Sequence, residues 1–90
     1  MKPEDIRLIG NEIKRQHSLF GDQSTRHPYE YLAIITEEIG ELAETVTETY
    51  TNGKHPERGG YENMIKEAVH VAATAVSFID CIRKNTVTGK

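Results

Sequence analysis

Along much of this chain, apolar residues recur at alternating steps of three and four, the spacing of one face of an α-helix. The clearest run is Leu32, Ile35, Ile39, Leu42, Val46 and Tyr50. It predicts a long second helix with this stripe as its core face. Pro28, with φ already set for a first turn, can open that helix, and the stripe carries it to about Thr51. Asn52-Gly53 follows with the residue types that end helices in the left-handed conformation. Upstream, Pro3, Glu4 and Asp5 mark the start of a first helix reaching about Ser18, with Ile6, Ile9, Ile13 and Phe20 as a thin apolar stripe. Gly21 to Pro28 has no apolar residue and reads as a loop, and Lys54 to Gly60 as a turn.

A third helix is expected from about Tyr61 to Lys84, with Arg83 and Lys84 near its negative pole and a frayed tail from Asn85 to Lys90. Ile65, Val69, Ala72, Val76, Ile79 and their neighbours cover nearly its whole circumference, so it should be buried on most sides. Against that background Asn63, Glu67, His70, Thr74 and Ser77 form one narrow polar stripe. No run of residues has the alternation of a strand, and no repeat is present. The expected fold is therefore all-α, a helical bundle in which the second and third helices form a long antiparallel hairpin within one domain, residues 1–90.

Ninety residues bury too little surface for a large core, so a second subunit is expected to complete the bundle. The net charge of −3 leaves no basic footprint for a nucleic-acid polymer. The first residues lack a signal peptide's pattern, no apolar run has membrane-spanning length, and the one cysteine, Cys81, excludes an internal disulfide. A cytoplasmic protein without a membrane partner is the expectation.

Charge placement changes the picture on the second helix. Glu37, Glu41, Glu44 and Glu48 share one face, Glu38 sits beside them, and no Lys or Arg lies between Tyr31 and Asn52. Alone, such a stripe is a solvated helix face. Glu67 argues otherwise, because burying an unpaired carboxylate costs several kcal/mol, on the order of the loss of all its water contacts. Helix two offers Glu67 only further carboxylates. A divalent cation between the helices resolves the conflict, and oxygen ligands at helical spacing suit Mg²⁺ or Mn²⁺. Glu37, Glu38, Glu41 and Glu67 are the candidate ligands, on the assumption that the helix register brings them together.

Glu37-Glu38-Ile-Gly-Glu41, followed after a gap by Glu67-Ala-Val-His70 in an Ala/Val-rich helix, resembles the MazG-type all-α nucleoside triphosphate pyrophosphohydrolases. Their pattern is Glu-Glu-x-x-Glu, a variable gap, then Glu-x-x-Asp, and the resemblance spans roughly Tyr31 to Ile82. It implies that the four acidic positions bind Mg²⁺, which holds the triphosphate of a canonical or damaged (d)NTP while water attacks, releasing pyrophosphate. It also implies a homodimer or homotetramer.

His70 departs from the pattern by standing where the family has Asp. Three readings stay open: a ligand for a softer ion such as Mn²⁺, a group behind the ligands that hydrogen-bonds Glu67 or a water, or the mark of lost activity. The second is favoured. Glu38, offset from the line of Glu37 and Glu41, is the candidate base for the attacking water. Phosphate charge beyond the metal falls to Lys54, Arg58, Lys66 and Arg26, and Phe20, Tyr29 and Tyr31 are available to stack on a base. The rival readings are a nucleotide-binding protein that keeps the scaffold without turnover and a plain helical dimerisation module.

Overall fold

The computed structural model describes residues 1–21, 25–51 and 53–89. They form three α-helices, α1 (Pro3–Phe20), α2 (Pro28–Tyr50) and α3 (Tyr61–Gly89), with a 3-10 turn at Pro56–Arg58. Among the described residues there is no strand, so the all-α expectation holds. No helix is long and apolar enough to cross a membrane.

Both of the first two helices open as the sequence expects. Pro3 and Pro28 occupy the first turn, where a missing N–H costs nothing. His27 caps α2: its Nδ1 accepts the Tyr29 N–H at 3.1 Å, and the Glu30 carboxylate accepts the His27 N–H at 2.9 Å. The helix ends need correction. α1 continues to Phe20 and stops at Gly21, whose φ of +80° is open to glycine and whose N–H donates to the His17 carbonyl. α2 stops at Thr51 in extended backbone, with the Thr51 hydroxyl and N–H both donating to the Thr47 carbonyl, and Gly53 is not left-handed. Asn52 lies outside the described residues. α3 runs past Lys84 to Gly89, so Asn85 to Gly89 are helical and Arg83 and Lys84 do not cap the helix end. No breaker intervenes, and the Asn85 amide donates back to the Cys81 carbonyl at 2.9 Å. Lys90 lies outside the described residues.

α3 packs against both other helices. Its contacts with α2 descend in order: Gly60 N–H to Thr49 Oγ1 at 2.8 Å, Thr74 Oγ1 to Glu38 Oε1 at 3.5 Å, and the Phe78 ring stacked on Tyr31 at 5.3 Å. Beyond the start of α2, the Cys81 thiol donates to the Arg26 carbonyl at 2.8 Å. At the turn, Gly59 lies so close to α2 that a Cβ there would stand 2.9 Å from the Thr49 nitrogen. The chain can therefore reverse tightly against the end of α2.

The largest correction concerns which faces point inward. Leu32, Ile39, Val46 and Tyr50, half of them at least 54% exposed, lie on the outside of the single chain, while Tyr31, Glu38 and Thr45 turn toward α3. α3 behaves likewise. Its polar stripe, with Thr74 and Ser77 buried, faces the other helices, and Tyr61, Ile65, Val76, Ile79 and Ile82 remain exposed. Small side chains explain the choice: Ala73, Thr74, Ser77 and Cys81 let the helices approach closely where branched residues would hold them apart. The result is a polar interior with apolar flanks, and the carboxylates are enclosed by it.

Candidate metal centre

The site is built at the level where all three helices meet. Glu67 and His70 are three apart on α3 and project from one face, and Glu38 reaches them from α2. One ligand atom from each lies within 4.8 Å of the other two. His70 Nδ1 stands 3.8 Å from Glu38 Oε2 and 3.9 Å from Glu67 Oε2. From α1, Glu12 Oε2 approaches the other ring nitrogen, Nε2, at 3.6 Å. Glu12 is itself clamped: Arg15 donates to its two oxygens at 2.8 and 2.6 Å, and the Gln16 amide donates at 3.1 Å. The register assumed between α2 and α3 is thus the one in which Glu38 and Glu67 face each other.

Four carboxylates, Glu12, Glu38, Glu41 and Glu67, crowd around one imidazole and one guanidinium. Burial pushes the Glu38 carboxyl above the usual range; the His70 ring works against this, and the charges of Glu41, Glu67 and Glu12 add to it. Glu41 is raised too, by burial of its carboxyl and then by the charge of Glu67 and a hydrogen bond with it. Glu12 goes the other way, held low chiefly by the Arg15 hydrogen bonds against the effect of its own burial. Glu67 Oε2 is buried and has no hydrogen-bond partner among the described residues. An orphaned carboxylate oxygen beside two further donor atoms fits a divalent cation, which would satisfy it where no N–H or O–H does. The donor set, carboxylate oxygens with one imidazole nitrogen, is a competent one for Mg²⁺ and better suited to Mn²⁺.

The chain matches no family model, no curated protein and no solved structure.

The residues singled out from sequence divide as follows. Glu38, Glu67 and His70 come together. Glu41, exposed at the edge, abuts Glu67. Glu37 is exposed and outside that group, one helical step of about 100° round α2 from Glu38, and its charge acts on Glu41. Of the basic residues, Arg58 is paired with Glu44 at 2.7 Å on the rim of an open cleft that Glu41 and Glu67 also line. Arg26 pairs with Glu30 at 3.4 Å and lines a second cleft, of about 330 Å³, with Arg15, Phe20, Glu38 and His70. Lys66 lines a third with Glu12 and His70. Lys54 is exposed and lines none of the three. Tyr31 lines the same cleft but is buried and stacked on Phe78, and Tyr29 stacks on His27, whereas Phe20 lines the cleft with an exposed ring.

Sequence reasoning missed Glu12, Arg15 and Gln16. A signal existed: Glu12 sits between Ile9 and Ile13 on the thin apolar stripe of α1, and its partners follow at steps of three and four.

Proposed function

We propose that this chain is a metal-dependent nucleoside triphosphate pyrophosphohydrolase that converts a (d)NTP to the monophosphate and pyrophosphate. The observation that carries the reading is the buried, unpartnered Glu67 oxygen facing Glu38 and His70. Glu38, Glu67 and His70, with Glu41 at the edge, would hold Mg²⁺ or Mn²⁺. When bound, the ion supplies positive charge to the triphosphate oxygens and to the leaving pyrophosphate.

The chain's own groups do the rest. Glu38, the base expected from the sequence, is enclosed between His70 and Thr74 and is better placed to bind than to exchange protons with water. Glu41 is open to solvent and has a raised pKa, so a proton from the attacking water goes to its carboxylate. Arg26 stands on the cleft beside Glu38 and can meet phosphate oxygens by exchanging its present partner, Glu30. Phe20, 63% exposed at that cleft, offers a face to a base.

The same proposal includes a second copy. α2 and α3 act as an antiparallel hairpin whose outer stripes, Leu32, Ile39 and Val46 on one helix and Ile65, Val76 and Ile79 on the other, form the seam of a homodimer. One domain in the cytoplasm is the setting this implies. The second reading, a metal- or nucleotide-binding protein without turnover, draws on His70 standing in place of an acidic ligand.

The test is pyrophosphate release from a panel of NTPs and dNTPs with Mg²⁺ and then Mn²⁺. Glu41→Gln should remove turnover and leave the helical circular dichroism unchanged. Turnover undiminished by Glu41→Gln and by Glu38→Gln would overturn the assignment, and metal-dependent nucleotide binding without release would favour the second reading.

A further inference from the structure

We propose that Glu12 is a positioning residue that turns His70 so that its Nδ1 is a metal ligand, making this a centre that takes a transition dication such as Mn²⁺ in preference to Mg²⁺. The inference uses the metal-centre part of the functional reading and is independent of the reaction.

The two ends of the His70 ring meet different groups. His70 Nε2 faces Glu12 Oε2 at 3.6 Å, and Nδ1 faces Glu38 Oε2 at 3.8 Å and Glu67 Oε2 at 3.9 Å. A neutral imidazole has one N–H and one lone pair, so the two ends cannot play the same part. Glu12 decides which is which. Its side chain is 9% exposed and is gripped by Arg15 and Gln16, so it is a fixed acceptor that cannot swing into the group formed by Glu38, Glu67 and His70. A carboxylate at Nε2 holds the proton there, and closing from 3.6 Å to a hydrogen bond of about 2.9 Å requires a shift of less than 1 Å. The Nδ1 lone pair then points at Glu38 and Glu67. With the proton on Nδ1 instead, the ring would have no lone pair to offer an ion held between Glu38 and Glu67.

This is the arrangement in which a carboxylate behind a histidine fixes the tautomer and raises the basicity of the nitrogen that binds metal. The ligand set becomes two carboxylates and one neutral nitrogen, with charge −2 against the ion's +2. Imidazole nitrogen favours first-row transition ions, whereas Mg²⁺ is held best by oxygen. His70 is thus a ligand that changes which ion is bound, in place of a group sitting behind the ligands.

The experiment uses the full chain, stripped with chelator and free of nucleotide. Mn²⁺ is added to saturation and ¹⁴N coupling to the ion is read by pulsed electron paramagnetic resonance. Mg²⁺ is then titrated against the Mn²⁺ signal. A directly bound ¹⁴N is expected in the wild type, with Mn²⁺ held at least about tenfold more tightly than Mg²⁺. His70→Asp should remove the coupling and narrow the preference. Glu12→Gln should weaken Mn²⁺ about 10- to 100-fold while changing Mg²⁺ little, a selectivity shift that a merely structural role would not produce, and Glu12→Asp should restore part of it. Saturating Mn²⁺ without ¹⁴N coupling in the wild type overturns the proposal, whatever the variants do. A folded Glu12→Gln protein with unchanged Mn²⁺ affinity overturns the part given to Glu12. Coupling in a protein that hydrolyses no nucleotide would uphold this inference and refute the pyrophosphohydrolase reading.

Discussion

Replacing Glu67 by Gln should make the metal-free protein more stable and remove its stabilisation by metal. The buried oxygen Glu67 Oε2 has no hydrogen-bond partner among the described residues; Glu38 and Glu41 are its carboxylate neighbours, and His70 Nδ1 lies 3.9 Å away. A buried acceptor left unsatisfied costs about 1–3 kcal/mol. The side chain is 16% exposed, so some water reaches it and the lower part of that range, about 1–2 kcal/mol, is the better figure. Gln is nearly the same shape, carries no charge, and brings two N–H donors to the neighbouring carboxylates of Glu38 and Glu41. For a chain of this size each kcal/mol moves the melting temperature by about 4–8 °C, so Glu67→Gln should melt about 4–16 °C higher than the wild type in chelator. With metal the order reverses. An ion at 100 times its Kd stabilises the wild type by about 2.7 kcal/mol, and the variant, short of one anionic ligand, should gain little of this. The assay is thermal unfolding followed by circular dichroism at one protein concentration, in chelator and in Mn²⁺. A lower melting temperature for the variant in chelator, or an equal gain from metal in both proteins, would refute the argument that this oxygen awaits a cation.

Three further outcomes follow from the same geometry. Glu38 has a folded-state pKa raised above its ordinary 4.5, so its contribution to stability is present below about pH 4.5 and is lost as pH rises through the raised value; Glu12, with a lowered pKa, acts in the opposite sense and only below that window. Urea midpoints in chelator should therefore fall as pH rises above about 4.5, and less steeply in Glu38→Gln; equal slopes would count against the enclosed carboxyl. Ile39→Lys on α2 or Ile79→Lys on α3, at residues about half exposed in the single chain, should convert a dimer to monomer in sedimentation velocity, and an unchanged mass would dismiss the apolar seam. Tyr31→Ala removes a ring that is 2% exposed and stacked on Phe78, at an expected cost of about 3–5 kcal/mol in denaturant unfolding; a loss under about 1 kcal/mol would mean that the two rings are not the core of the bundle.

Much of the local structure was legible in the chain because it depends on neighbours in sequence. Proline at a first turn and the length of α2 are both short-range effects. The end of α3 was misplaced because basic residues near a helix end are permissive signals, and nothing at Lys84 stops the helix. The inward faces were misread for a deeper reason. Hydrophobic periodicity identifies which residues avoid water but not what covers them, and a stripe such as Leu32, Ile39 and Val46 serves an intramolecular core and a seam between subunits equally well.

The carboxylates divide along the same line. By itself the sequence determined that this is an all-helical chain, that no Lys or Arg lies near Glu38 and Glu41 on the second helix, and that His70 breaks the acidic pattern. Only the tertiary structure decided that Glu38 belongs with Glu67 and His70 while Glu37 points away, and that Glu12 reaches the same imidazole from α1. The physical reason is that spacing along a helix sets the angle of a side chain, whereas the partner it meets depends on how three rods are rotated and shifted against one another. Small residues at Ala73, Thr74 and Ser77 set that rotation through close packing, a property of the assembled interior that no single stretch of sequence carries.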